Sequence, residues 1–228
     1  GGGNKLPLPL EMPYTLGHEI FGEVIELGSD VKDVNIGDKR VIYPWIGCNQ
    51  CDVCSSGDEH LCSGGPVLGV QKGGGFGDHV LVPHSRYLMD AGDTPDHLAG
   101  SYACSGLTAY TALKKAQIKD SNNSLVIVGA GGLGMMGIQI AKAAFNVQPI
   151  VVDVDDKKLE IALKSGASHA INSKDEDAAE RIFSLTGGAA SVIDFVGYGT
   201  ANCSETANAP APSATNADLR GSNECADT

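Results

Sequence analysis

Two periodicities divide the chain. Up to about residue 90, short apolar runs alternate with glycine, proline and aspartate. Ile20 to Leu27 reads as a strand ending at the Gly28-Ser29 turn, and Gly37-Asp38 marks a turn before a second strand, Arg40 to Tyr43. His79 to Val82 and Arg86 to Met89 read as two further strands separated by Pro83. Many short strands with turn signals between them predict a barrel-like β domain. Residues 4–16, with Pro7, Pro9 and Pro13, read as an extended lead-in, and residues 48–62 as an irregular, glycine-dotted loop.

From Pro95 the period lengthens. His97 to Lys115 is helical in pattern. Leu125 to Val128 is an uninterrupted apolar run, as expected of a parallel strand buried on both faces. Apolar residues then recur at helical spacing (Leu133, Met136, Gly137, Ile140, Ala141, Ala144) before a second run, Pro149 to Val152, that ends in Asp153. Lys157 to Ser165 reads as a helix closed by Gly166, His169 to Ile171 as a short strand, Ala178 to Leu185 as a helix, and Val192 to Val196 as a fourth parallel strand ending at Gly197. This alternation predicts an α/β domain with a doubly wound parallel sheet. Residues 200–228 are Ala, Ser, Asn, Thr and Pro with almost no large apolar side chain, so they cannot bury a core and read as disordered.

The expected organisation is thus a β domain over 1–95, a partial dinucleotide-type domain over 96–199 and a tail over 200–228. A doubly wound sheet of this kind normally has six strands in the order 3-2-1-4-5-6. Only four are countable, which leaves an open edge where a fifth would pair. The chain also starts Gly1-Gly2-Gly3 without Met. It therefore reads as a fragment that lacks N-terminal and C-terminal segments.

The turn after Leu125–Val128 carries the first chemistry. Gly129-Ala130-Gly131-Gly132-Leu133-Gly134 joins strand to helix, and Asp153 ends the next strand. Gly129 permits the tight turn, Gly131 a close approach of backbone to a pyrophosphate, and Gly134 close packing of helix on sheet. Gly132 and Leu133 open the helix, whose N-terminal N–H groups attract phosphate. Asp153, about 20 residues beyond, suits the ribose hydroxyls and repels a 2′-phosphate, which favours NAD over NADP. Asp155 and Asp156 add negative charge nearby, and Lys157 and Lys158 partly oppose it. Strand, glycine turn, helix, strand and acid in this order predict dinucleotide binding.

Cysteine spacing adds a metal. Of seven cysteines, four fall in the loop as Cys48-x2-Cys51-x2-Cys54-x7-Cys62. Four thiolates at short spacing can close a tetrahedral shell around Zn²⁺ at about 2.3 Å, with no position left open, so the predicted role is structural. An iron–sulfur run would place its fourth cysteine after three residues and before proline, and here it follows seven and precedes Ser63. Disulfides are the remaining alternative, but the spacing suggests metal and a reducing compartment, taken as the cytoplasm. His60 reads as a solvated residue beside a filled shell. His18, Glu19 and Cys104 carry no distinctive signal on their own, and His169 reads as structural. Tyr43 and Trp45 read as packing residues rather than as the border of a pocket.

Charge and hydropathy narrow the classes. A net charge of −12 argues against a nucleic-acid surface, which needs clustered Lys and Arg. No apolar run approaches the ~18 residues of a membrane span.

Taken together, these residues resemble the zinc-dependent, medium-chain alcohol dehydrogenase family. The resemblance covers residues 5–199 and rests on separated matches: Gly17-His18-Glu19 followed by Gly22 and Gly28; Gly37-Asp38; the four cysteines; Cys104-Ser105-Gly106-Leu107-Thr108-Ala109-Tyr110; and the glycine turn with Asp153. It implies a GroES-like β domain carrying two zinc sites, followed by a Rossmann domain holding NAD. By the same resemblance, His18 and Cys104 would be ligands of a catalytic zinc, and Glu19 its near neighbour or alternating ligand. Thr108 would lie near the nicotinamide, and Lys158 would contact the adenosine ribose. The implied activity is oxidation of a primary or secondary alcohol to an aldehyde or ketone, with a small-molecule substrate and a homodimeric or homotetrameric parent. A polyol or sugar-alcohol dehydrogenase and a quinone-type reductase are rival readings, the second usually without these ligands. A non-catalytic zinc-ribbon module is a rival from another class. The family's first catalytic-zinc cysteine would precede Gly17, and no cysteine precedes Cys48. The chain as given is therefore expected to hold one zinc and to be inactive alone.

Overall fold

A computed structural model describes residues 14–116, 118 and 124–197. The chain divides into two compact units, Gly1–Cys104 and Ser105–Thr228. The expected disordered tail and most of the extended lead-in lie outside the described residues.

In the first unit, β1 (Ile20–Glu23) pairs antiparallel with β2 (Lys39–Ile42), in register Ile20 to Ile42. A four-residue helix, α1 (Asp52–Ser55), sits in the cysteine loop, where no regular element was expected. β3 (Leu88–Met89) adds to the other side of β2. Ile20, Ile42, Ile46, Leu68 and Tyr87 form the core of this sheet.

Three strand expectations need correction. The first strand stops at Glu23 because its partner runs out at the Gly37-Asp38 turn, where Gly37 N–H reaches the Val24 carbonyl at 2.8 Å. Arg86–Met89 is split: Ser85–Tyr87 forms a 3-10 turn, capped by Arg86 N–H donating to His84 Nδ1 at 3.1 Å, and only two residues remain extended in the sheet. His79–Val82 is not a strand. Its alternation is real, since Val80 and Val82 pack on the core while Leu81 is 88% exposed. Alternation fixes which side chains turn inward, but a strand also needs a neighbouring ladder, and none is present among the described residues.

The expected helix over 97–115 is three pieces. These are α2 (Asp96–Ala99), a 3-10 turn (Gly100–Ala103) and α3 (Ser105–Lys115), broken at Cys104, whose φ of −125° and ψ of −72° are not helical. Ala99 and Ala103 pack with Val41 and Phe21 of the first sheet. For that reason residues 96–103 belong to the first unit, and the division falls after Cys104 instead of near residue 95.

The second unit begins with α3 and alternates as expected. β4 (Leu125–Val128), α4 (Gly132–Phe145), β5 (Ile150–Asp153), α5 (Asp156–Ser165), β6 (His169–Asn172), α6 (Ala178–Thr186) and β7 (Ser191–Asp194) follow in order. The strands are all parallel, in the order β6-β5-β4-β7. Both faces of the sheet are covered. Leu125, Ile127, Val151 and Ile193 face Leu113 of α3, Ile138 of α4 and Leu159 of α5, while Val126, Ile150, Val152 and Ile171 face Ile182 and Leu185 of α6. Two-sided burial explains why β4 and β5, at the centre of the sheet, are continuous apolar runs instead of alternating ones. β7 ends two residues earlier than expected because the Asp194 carboxylate accepts from Val196 N–H at 2.7 Å and turns the chain. Among the described residues it is an edge strand, as the four-strand count implied. No described helix is long and apolar enough to cross a membrane.

Candidate functional sites

The cysteine loop builds its site from two short helical pieces. α1 begins directly after Cys51 and contains Cys54, and its last turn is closed by Gly57 N–H donating to the Cys54 carbonyl at 3.1 Å. A 3-10 turn, Glu59–Leu61, then delivers Cys62. The four sulfurs lie within 4.8 Å of one another, with separations of 3.9 Å (Cys48–Cys54), 3.6 Å (Cys51–Cys54) and 3.8 Å (Cys51–Cys62). A tetrahedral Zn²⁺ with bonds of about 2.3 Å has sulfur–sulfur edges of about 3.8 Å, so the donor set fits zinc. All four are free thiols, not disulfides. The Cys48 N–H pointing at its sulfur pulls the Cys62 thiol down to about 6, and desolvation pushes Cys54 up to about 12. Within this set the thiolate form of Cys62 is favoured and that of Cys54 opposed, an opposition that a bound cation would relieve. His60 is exposed and outside this group.

Sequence reasoning missed the residues that dock this loop. Arg86 Nη2 donates to Glu59 Oε2 at 2.9 Å and contacts Asn49, while its guanidinium lies 4.8 Å from the centre of the Tyr87 ring. The Tyr87 hydroxyl donates to the same Glu59 oxygen at 2.9 Å. A buried tyrosine of the β-sheet core is thereby tied to both ends of the cysteine loop. The only signal in the sequence was Arg86 adjacent to Tyr87, which is not distinctive.

His18 and Cys104, 86 residues apart, meet in the first unit. His18 Nε2 lies 3.2 Å from Cys104 Sγ. The Trp45 ring lies 6.2 Å from the imidazole, centre to centre, and Tyr43 instead stacks on Tyr87. Glu19 is exposed. Among the described residues only the four cysteines bring three or more candidate ligand atoms together.

The glycine turn occupies the C-terminal end of β4. Gly129 has φ +93°, and its N–H donates to the Val152 carbonyl at 2.7 Å, as a tight turn requires. A Cβ on Gly131 or Gly132 would meet nothing within 4 Å, so the helix N-terminus is open to an approaching group. Gly134 differs from expectation. A Cβ there would sit 1.8 Å from the Gly129 carbonyl oxygen, so the constraint is the turn itself more than the sheet beneath, whose nearest atom is 3.8 Å away. Leu133 lies in the first turn of α4.

Asp153 is buried, at 9% exposure. Its Oδ2 accepts from Ala130 N–H at 2.7 Å, and its Oδ1 from Val154 N–H at 2.7 Å and Asp155 N–H at 3.0 Å. The carboxylate therefore secures the glycine turn, a task the sequence reading did not give it. Asp155 caps α5 through the N–H groups of Lys157 and Lys158, and Asp156 accepts from Asn172 at 2.6 Å. The Lys158 side chain is exposed, and Thr108 is half-buried in α3. His169 Nδ1 lies 3.3 Å from Ser168 Oγ at the start of β6.

A small β unit bearing a four-cysteine cluster and a His–Cys pair, followed by a parallel α/β unit with a glycine turn, defines a two-unit dehydrogenase class. Comparison with known proteins agrees. Residues 3–93 match the alcohol dehydrogenase GroES-like domain, and residues 132–207 match the zinc-binding dehydrogenase domain. The NAD-dependent alcohol dehydrogenase of Sulfolobus acidocaldarius is 40% identical over 187 residues, covering 82% of this chain and 54% of that protein. That of Sulfurisphaera tokodaii is 41% identical over 191 residues, covering 82% and 55%. Among solved structures, the D-arabinose dehydrogenase of Sulfolobus solfataricus superposes with a TM-score of 0.76 at 31% identity, covering 82% of this chain and 59% of that one. The alcohol dehydrogenase of Aeropyrum pernix gives 0.73 at 30%, covering 82% and 56%. The chain belongs to the zinc-dependent medium-chain alcohol dehydrogenase family, with a GroES-like β domain followed by a Rossmann-type parallel sheet. It spans about half the length of the curated relatives it matches.

Proposed function

We propose that the whole protein is an NAD-dependent zinc alcohol dehydrogenase that oxidises a primary or secondary alcohol to the aldehyde or ketone. The observation that carries this reading is the 3.2 Å approach of His18 Nε2 to Cys104 Sγ, two ligand atoms meeting outside the four-cysteine site. His18 and Cys104 would hold a second zinc, with Glu19 beside it, and the four loop cysteines a structural one. When bound, the second zinc supplies Lewis acidity toward the substrate oxygen, and nicotinamide supplies the hydride acceptor.

The chain's own residues bind and orient. Gly129, Gly131, Gly132, Leu133 and Gly134 would present the open helix N-terminus to the pyrophosphate. A carboxylate has about four acceptor positions, so Asp153 can hold its three backbone N–H groups and still accept from a ribose hydroxyl. Its charge disfavours a 2′-phosphate, and the NAD-dependent names of the curated relatives support the same preference. Lys158 would reach the adenosine ribose, and Thr108 the nicotinamide.

A second reading has its own support: one of the most similar solved structures is a D-arabinose dehydrogenase, and another is a galactitol-1-phosphate dehydrogenase. The substrate class would then be a polyol or sugar. In either case the partner is a small alcohol or carbonyl compound, and the net charge of −12 disfavours nucleic acid. Free thiols placed as metal ligands support a reducing compartment such as the cytoplasm. Alcohol-dependent reduction of NAD by the whole protein, across simple alcohols and polyols, tests the proposal. Loss of turnover in Cys104→Ser is expected, and turnover unchanged by that substitution would sink the assignment.

A further inference from the structure

The Gly17 carbonyl, one peptide before His18, is where three stretches of backbone converge. Gly75 N–H donates to it at 2.8 Å, and flanking bonds run from Gly74 N–H to the Thr15 carbonyl (2.9 Å) and from Phe76 N–H to the Leu16 carbonyl (2.8 Å). Gly69 N–H donates to the Lys72 carbonyl at 2.6 Å, which folds residues 69–74 back on themselves. The convergence leaves no space for side chains. A Cβ on Gly69 would lie 2.2 Å from the Gly17 oxygen, and one on Gly74 would lie 2.1 Å from that oxygen and 2.4 Å from Gly69 Cα. These obstacles are backbone, so no change of rotamer relieves them. Gly73, in the same run, would meet nothing within 4 Å, whereas a Cβ on Gly75 would press on the buried Ile20 side chain, at 2.8 Å.

We infer that Gly69 and Gly74 are positioning residues for His18: their bare backbone seats the Gly17 carbonyl and so holds the imidazole against the Cys104 sulfur. Admitting a methyl group at either glycine requires the Gly17 carbonyl and the 69–74 backbone to part by about an ångström, which strains the hydrogen bond from Gly75 N–H that holds the carbonyl in place. The share of that movement taken by Gly17 turns the peptide leading into His18, and the ring, at the end of its side chain, swings further. Displacements of about this size at a reacting centre are costly even when they originate elsewhere. The consequence for catalysis rests on reading His18 and Cys104 as a ligand pair; the geometric claim rests on their separation alone.

The test uses the zinc-loaded 228-residue chain, in which the four loop cysteines are protected. Alkylation of Cys104 by iodoacetamide is followed by peptide mass mapping, which separates it from Cys203 and Cys225. His18→Ala is expected to change the Cys104 rate several-fold. Gly69→Ala and Gly74→Ala should reproduce that change. Gly73→Ala, in the same loop with open space around its Cβ, should not, and serves as the control for a substitution in this loop. A change in His18→Ala with wild-type rates in Gly69→Ala and Gly74→Ala overturns the positioning role. An unchanged rate in His18→Ala overturns the ligand pair and the inference with it. If the two alanine variants do not fold, the unsubstituted chain carries the test: hydrogen exchange at the Gly75 and Phe76 amides and Cys104 alkylation should accelerate together in mild denaturant. Release of Cys104 without opening of those amides overturns the inference.

Discussion

The Ala130 amide donates to Asp153 Oδ2 at 2.7 Å, joining the glycine turn after β4 to the acid at the end of β5 across 23 residues. One carboxylate thus holds the glycine turn in shape, and in the proposed function it would also read the ribose. The two tasks can be separated by substitution. Asp153→Ala removes the acceptor of three N–H groups and should cost about 2 kcal/mol or more of unfolding free energy, as expected for buried donors left unpaired. Chemical denaturation of the dinucleotide-free protein checks this, and unaltered stability would show that the latch carries no weight.

Cofactor choice follows from the same group. Asp153→Ser keeps a polar acceptor and removes the charge that repels a 2′-phosphate. NAD should bind at least about tenfold more tightly than NADP to the unsubstituted chain, a difference of about 1.4 kcal/mol, and Asp153→Ser should narrow that gap. Titration calorimetry with both dinucleotides measures it. Equal affinities in the unsubstituted chain would contradict the account.

The cysteine cluster predicts one tight zinc in the 228-residue chain, lost on Cys51→Ser. Two tight zincs would mean that His18 and Cys104 find further ligands. Proton linkage gives a second readout. Cys54 is held protonated up to about 12, so metal binding at neutral pH must release its proton. Cys62 is depressed to about 6, so its thiolate is present at neutral pH and lost as pH falls through that value. Zinc affinity should therefore fall as pH falls, with one further proton in competition once Cys62 is protonated. Calorimetry in buffers of different ionisation heat, repeated on either side of that pH, tests both statements.

Arg86 secures the cysteine loop through Glu59 and the Tyr87 ring. Both charged groups are partly solvated, so the ion pair alone is worth little, and the stacked guanidinium adds about 0.5–1 kcal/mol. Arg86→Ala should release zinc faster and expose residues 48–62 to protease, with a stability loss of only about 1 kcal/mol. An unchanged rate of zinc transfer to a chelator would contradict this.

Much of this arrangement is legible in the sequence, and the reasons differ by region. β4 and β5 were readable because both faces of the sheet are buried, so each is a continuous apolar run, ended by Gly129 and Asp153, and the helices between them were readable from apolar residues at helical spacing and the closing Gly166. The cysteine site was readable because its ligands are close in sequence and thiolate spacing maps directly onto tetrahedral geometry. The first unit resisted. Val80 and Val82 show correct inward alternation without a ladder partner, and sequence cannot supply the partner. Residues 97–103 carry a helical pattern, yet Ala99 and Ala103 pack on Val41 of the β unit, which moved the boundary. His18 and Cys104 meet across 86 residues, a pairing no local pattern encodes, and only the family resemblance pointed to it. The supporting roles of Asp153, Gly69, Gly74 and Arg86 emerge only from tertiary contacts.

In the proposed function the glycine turn of this chain would bind a nicotinamide dinucleotide that serves zinc-dependent alcohol chemistry. NADH fluorescence titration of the zinc-loaded 228-residue chain decides whether it does, with Gly134→Ala and Gly132→Ala in parallel. Saturable enhancement that NAD competes away is expected. Gly134→Ala, whose methyl group would press on the Gly129 carbonyl, should lose it, while Gly132→Ala, which meets nothing within 4 Å, should fold normally. No enhancement in the unsubstituted chain, or enhancement unaffected by Gly134→Ala, would contradict the account.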